Sequence, residues 1–298
     1  MNWAEQTMTS TVPKSGDSHG IQLSKGVRFS FGENWAGFLS TLDDQRIAEA
    51  ESNLKDMLEV THLREKTFLD AGSGSGLFSL AARRLGAKVV SFDYDPQSVA
   101  CTVELRRRYF DGDPDWNIHE GSVLDEAYLK RMGQFDVVYS WGVLHHTGEM
   151  WRALKYIDGS VAPGGSLFVA IYNDQGTASR RWLVAKKIYN RLPKPIATIF
   201  AVLVYIPFEL KHMLAYLIKG TPAVYVSNIK HYKQQRGMSW IHDKIDWIGG
   251  LPFEVAKPEE IFEFYKALGY RLTKMTTNGG GHACNQFVFR RDDQRQIV

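Results

Sequence analysis

From residue 66 onward the chain alternates short apolar runs with longer amphipathic stretches. Residues 66–70, 88–93, 116–120, 135–140 and 166–172 read as short strands with apolar residues at their centres. Residues 77–85, 96–108 and 150–161 carry helical spacing, with Gly86 placed to stop the first and Pro96 to start the second. Upstream, Ile47, Ala50, Leu54 and Leu58 recur at helical spacing over 42–58, where Asp43 or Asp44 can cap. This alternation predicts a parallel sheet covered on both faces, with a turn at Ala162-Pro163-Gly164-Gly165 before the fifth strand. The pattern lapses after Tyr172. It resumes with a helix over 258–268 and strands over 271–276 and 283–290, joined by Asn278-Gly279-Gly280-Gly281 as suits an antiparallel pair. Four parts follow: a polar tail (1–26), a core (27–175), a helical insertion (176–250) and a segment completing the core sheet (251–298).

Composition narrows the class. With 44% hydrophobic residues and two cysteines, the chain is neither a disordered nor a disulfide-built protein. Cys101 and Cys284 point to a reducing compartment, and neither has the Cys/His neighbours of a zinc site, so no metal is expected. The first residues lack the basic and apolar regions of an export signal. The longest apolar run, residues 196–206, contains Thr198 and meets Pro207, well short of the roughly 20 residues of a bilayer span. A soluble, cytoplasmic protein is expected, with the apolar run packed as a cap on the core. Charge is segregated: residues 176–240 hold eleven Lys and Arg against Glu209 alone, a net +10 in a chain of +3, which leaves −7 elsewhere. That makes peripheral contact with an anionic membrane through 180–236 the alternative to packing.

The chemistry concentrates after the first strand. Asp70-Ala71-Gly72-Ser73-Gly74-Ser75-Gly76 joins strand to helix, where glycines let a ligand touch backbone and a helix N-terminus offers free N–H groups. The spacing is G-x-G-x-G, not the G-x-G-x-x-G of dinucleotide binders, which opposes a nicotinamide oxidoreductase. Asp70 can meet a ligand ammonium, and Asp93, ending the second strand, can accept from ribose hydroxyls.

These residues resemble the class I S-adenosylmethionine-dependent methyltransferases. Asp70, Gly72, Gly74 and Gly76 match the family's first motif and Asp93 its ribose acid. Gly121-Ser122-Val123 matches its adenine loop, residues 135–139 its fourth strand, and residues 161–165 the turn before its fifth. The resemblance covers about residues 66–172. It implies a Rossmann-like, seven-stranded, mostly parallel α/β sheet with an antiparallel last strand, here with a helical insertion after the fifth strand. It also implies S-adenosylmethionine as cofactor. The loop with Ser73 would hold the methionyl part, Asp93 the ribose, Tyr94 and Val123 the adenine, and Ser140 would line the same site. Many members have Asp where this chain has Ser122, and Asp125 is the substitute at hand.

The fourth strand runs on through Ser140-Trp141-Gly142-Val143-Leu144-His145-His146. Strand ends of open α/β sheets face the ligand crevice, so His145 and His146 are candidate general bases for an oxygen acceptor. Leu-His-His is similar to the motif of small-molecule O-methyltransferases of ubiquinone biosynthesis. Trp141, Tyr172 and Asn173 are candidate substrate contacts, and Trp35, in the aromatic stretch with Phe29, could close over the site. Trp247 and Phe253 are expected to anchor the returning chain. A small or lipid-like acceptor is favoured. A nucleic-acid acceptor gripped by the insertion, or a binding module without activity, ranks below it, because no RNA module is present.

Overall fold

Five parallel strands realise the alternation. The computed structural model describes residues 42–230, 240–278 and 283–292, together with Gln22, Phe29 and Leu39. Trp35, the rest of the tail and the turn tip at 279–281 lie outside these residues.

Helix α1 (Asp44–Leu58) starts where the Asp43 carboxylate accepts the Arg46 N–H, and it buries Ile47, Ala50, Leu54 and Met57. Then come β1 (Thr67–Ala71), α2 (Leu77–Arg84), β2 (Lys88–Asp93), α3 (Pro96–Tyr109), β3 (Trp116–Glu120), α4 (Glu126–Met132), β4 (Phe135–Trp141), α5 (Met150–Asp158) and β5 (Val161–Tyr172). Helices α6 (Thr177–Arg191), α7 (Lys194–Ile218), α8 (Pro222–Lys230) and α9 (Trp240–Gly249) form the insertion. Helix α10 (Pro258–Ala267) and strands β6 (Tyr270–Thr276) and β7 (Cys284–Arg291) complete the core.

The strand order is β3-β2-β1-β4-β5-β7-β6, with β7 antiparallel to both neighbours. Apolar side chains pack on both faces of the sheet. Leu69, Val138, Leu154 and Ile261 lie in one layer, and Phe68, Leu80, Leu105 and Val137 in the other. The order reverses between β1 and β4, so the carboxyl ends of these strands open a crevice there.

Three expectations change. The turn at 162–165 is not separate but lies within β5, where the register against β4 jumps between Phe135 and Val137. Helix α4 has no counterpart in the sequence reading. It is a single short element, started by the Asp125 carboxylate accepting the Tyr128 N–H. Finally, Pro207 does not end the apolar run. It sits inside the 25-residue α7, because Phe208, Leu210, Met213 and Leu217 carry the apolar pattern beyond it. By length and composition α7 could cross a membrane. It is also not a cap sunk in the core, since only Ala197, Ala201 and Tyr205 are buried.

Candidate active site

The loop after β1 is bolted to β2 through its backbone N–H groups. Gly72 N–H and Ser73 N–H both donate to the Phe92 carbonyl, at 2.8 and 3.0 Å. Gly72 takes φ +88, and a Cβ there would run into Val143. Here glycine is required on two counts. Gly76, at φ +81, is the N-cap of α2 and supports the loop from behind without lining the cavity.

Beneath the loop, at the switch point, lies a cavity of about 470 Å³. Asp70, Gly72, Ser73, Gly74, Asp93, Tyr94, Ser122, Val123, Trp141 and His146 all line it. Asp93 Oδ2 accepts from Gly74 N–H and Oδ1 from Asp95 N–H, both at 2.9 Å, and the Tyr94 backbone also bonds this carboxylate. Burial raises its pKa to about 6. Asp70 is held from behind by a buried relay. Trp116 Nε1–H donates to Ser91 Oγ, Ser91 pairs with Ser79 Oγ at 2.7 Å, and Ser79 donates to Asp70 Oδ2 at 2.5 Å. The indole can only donate and Ser79 spends its proton on the carboxylate, so Ser91 must donate to Ser79. Burial is the main force lifting Asp70 to about 7, helped by the Asp93 charge and opposed by the Ser79 bond.

The two adjacent histidines part company. His146 lines the cavity, with Nδ1 2.6 Å from the Pro252 carbonyl. A carbonyl only accepts, so Nδ1 carries the proton and Nε2 is the basic nitrogen of the neutral ring. His145 lies outside the cavity, fully buried, 3.9 Å from the Tyr172 ring between centroids. Burial first, then the His146 and Lys186 charges, hold its pKa well below 6.5, so it stays neutral.

Other expected residues lie elsewhere. Ser140 is buried and donates to the Ala71 carbonyl at 2.8 Å, tying β4 to β1 instead of lining the cavity. Tyr172 and Asn173 border a separate small crevice with Trp182 and Trp247. Asn173 is tied to Asn278 and Asn285. Ser122 shapes its loop by accepting the Leu124 N–H, and Asp125 is committed to its cap. The cavity wall also includes Tyr139, Val143 and Glu149, which the sequence reading did not single out. The returning chain anchors as expected, with Trp247 and Phe253 packed on Tyr172 at 5.0 and 5.5 Å. Lys186, counted among the basic residues, is fully buried. It donates to the Trp247 carbonyl and lies over the Trp247 and Phe253 rings. Phe29 joins this edge of the cavity, its N–H donating to the Leu251 carbonyl.

The sequence matches a family described as a methyltransferase domain over residues 42–215, more than half of the chain. It is 26% identical over 193 residues to the mitochondrial ubiquinone biosynthesis O-methyltransferase of Mus musculus, covering 62% of this chain and 52% of that one. It is 32% identical over 136 residues to the tRNA U34 carboxymethyltransferase of Methylococcus capsulatus, covering 45% and 41%. The chain thus spans about half the length of these curated relatives. In fold it is similar to the magnesium protoporphyrin IX methyltransferase of Synechocystis, solved with bound SAH. The TM-score is 0.51 at 13% identity, over 83% of both chains.

Proposed function

We propose that the chain, which belongs to the methyltransferase-domain family, uses S-adenosylmethionine as its methyl donor and methylates a small or lipid-like acceptor, oxygen favoured. The observation that carries this reading is the switch-point cavity, floored by the glycine loop, flanked by Asp70 and Asp93 and walled by His146. The residues present fit the donor. Asp70 and the Gly72–Gly74 backbone suit the methionyl end, the Asp93 carboxylate suits ribose hydroxyls, and Tyr94 and Val123 suit the adenine.

Bound there, the donor supplies a methyl already activated by a sulfonium, so positioning an electron-rich acceptor in line supplies much of the rate. An oxygen acceptor must also lose a proton, and His146 Nε2 is the group on the cavity wall that takes it. Trp141, on the same wall and 43% exposed, is the substrate contact nearest solvent. A nucleic-acid acceptor fits less well, because the exposed face of the insertion is mainly aliphatic and offers few stacking platforms.

The chemistry of the two acids sets a pH dependence. Only their ionised forms attract a cationic ligand, so donor affinity should fall as pH drops through about 7 and then about 6. The slope below the lower value should approach about tenfold per pH unit for each proton linked. Calorimetric titration across the acid side of neutrality checks this, and a flat profile would remove both carboxylates from donor binding. The acceptor is sought by incubating cell extract with methyl-labelled donor and following label by mass spectrometry. Label in a hydroxyl-bearing metabolite or lipid supports the reading; label only in RNA replaces it.

A further inference from the structure

We propose that the outer face of α7 and α8 docks on an anionic lipid bilayer, lying in the headgroup plane. Along α7, Ile199, Leu203, Ile206, Leu210, Met213 and Leu217 alternate at spacings of four and three residues, and every one of them is exposed. Leu203 is 60% exposed and Leu210 55%. Val224, Val226 and Ile229 extend the apolar surface onto α8. An apolar face of this extent, unpartnered among the described residues, is far beyond the scattered surface residues of ordinary proteins.

The inner face is already satisfied. Ala197, Ala201 and Tyr205 face the domain, where Trp182 packs on Tyr205 and Phe208 at 5.9 and 5.7 Å and reaches Trp247 at 6.3 Å. This aromatic chain fixes which side of α7 points outward.

Charge identifies the occupant. Eight exposed Lys and Arg lie between Arg180 and Lys230. The segment's one acid, Glu209, is engaged by Lys244 at 2.8 Å and the Tyr225 hydroxyl at 3.0 Å. Anionic headgroups complement such a rim while acyl chains cover the stripe. A second copy of the chain would instead set one +10 segment against another.

The in-plane geometry follows from the connections. Helix α6 leaves β5, and α9 returns to pack on α6, with Asn190 Nδ2 donating to the Gly249 carbonyl at 2.8 Å. Both ends of the α7–α8 excursion therefore sit on the same domain. A single crossing by α7 would strand α9 on the far side of the bilayer.

The test floats the full chain with phosphatidylcholine vesicles, with and without phosphatidylglycerol. Flotation is expected with the anionic vesicles and to weaken with added salt. Leu203→Glu with Leu210→Glu should cut the floated fraction at least about tenfold, since each variant carboxylate would have to enter the apolar headgroup–acyl boundary that the stripe occupies and would repel the anionic headgroups. Both positions are exposed and outside the lining of the cavity, so calorimetric donor affinity should be unchanged in this variant, and a failure here is separable from a failure of the methyltransferase reading. Three vesicle results would overturn the proposal: no flotation on anionic vesicles, equal flotation on neutral ones, or equal flotation by the variant. A dimer in sedimentation that the same substitutions disperse would also overturn it, assigning the stripe to a second copy.

Discussion

Asp70→Asn should raise the melting temperature of the unliganded protein while weakening donor binding by one to two orders of magnitude. Asp70 is 2% exposed, and its pKa moves from 3.8 to about 7 on folding. The folded state therefore holds this proton more tightly than the unfolded one. Its contribution favours folding below the unfolded pKa and is lost as pH rises towards about 7. At neutral pH the buried carboxylate costs up to about 4 kcal/mol. Asparagine removes that cost, and its Oδ1 still accepts from Ser79, so the relay back to Trp116 survives. Thermal denaturation should record a gain of several degrees, at about 2–4 °C per kcal/mol for a protein of this size. The affinity loss corresponds to a charge-assisted contact of about 1.5–3 kcal/mol. A variant that melts lower and binds donor normally would contradict both halves.

His146→Ala should lower kcat for an oxygen acceptor by about a hundred- to ten-thousandfold, the range of a lost general base, at unchanged donor affinity. His145→Phe should leave kcat within about tenfold, because the neutral, fully buried ring packs at a tilt against Tyr172 and lies outside the cavity. Single-turnover rates with a saturating donor would separate the two residues. Equal losses would mean that packing, not proton transfer, explains both, and a larger loss in His145→Phe would reverse the assignment. An amine acceptor that arrives neutral should be insensitive to either change.

Much of the sheet was legible because its signals are local. Each strand, glycine stop and cap lies within a few residues of what it controls, and β2 and β3 fall at the bounds expected from sequence. The lining of the switch-point cavity was legible for the same reason: Asp70, the glycine loop and Asp93 are set by two adjacent strand ends. Ser140 illustrates where such reasoning stops. Neighbours along a strand point to opposite faces, so a residue between Tyr139 and Trp141, which both line the cavity, must face away. The roles of His145 and His146 could not be read locally, since the partner that orients His146 is 106 residues downstream. Tyr172 and Asn173 do end a strand, but β5 is one step further from the switch point and is covered there by the returning insertion. On α7 the apolar residues surround the helix, so periodicity carried no information about which side is covered.

The residues just past the insertion bear on how far this protein can be treated as parts. Pro252 orients His146, Glu254 N–H donates to the His145 carbonyl, and the Glu254 carboxylate caps α5 at the Met150 N–H. The stretch that brings the chain home thus holds part of the wall around the cavity. A graft that exchanges the helical excursion for that of another protein must make its downstream junction before Leu251; a splice placed later would discard the carbonyl that orients the His146 ring.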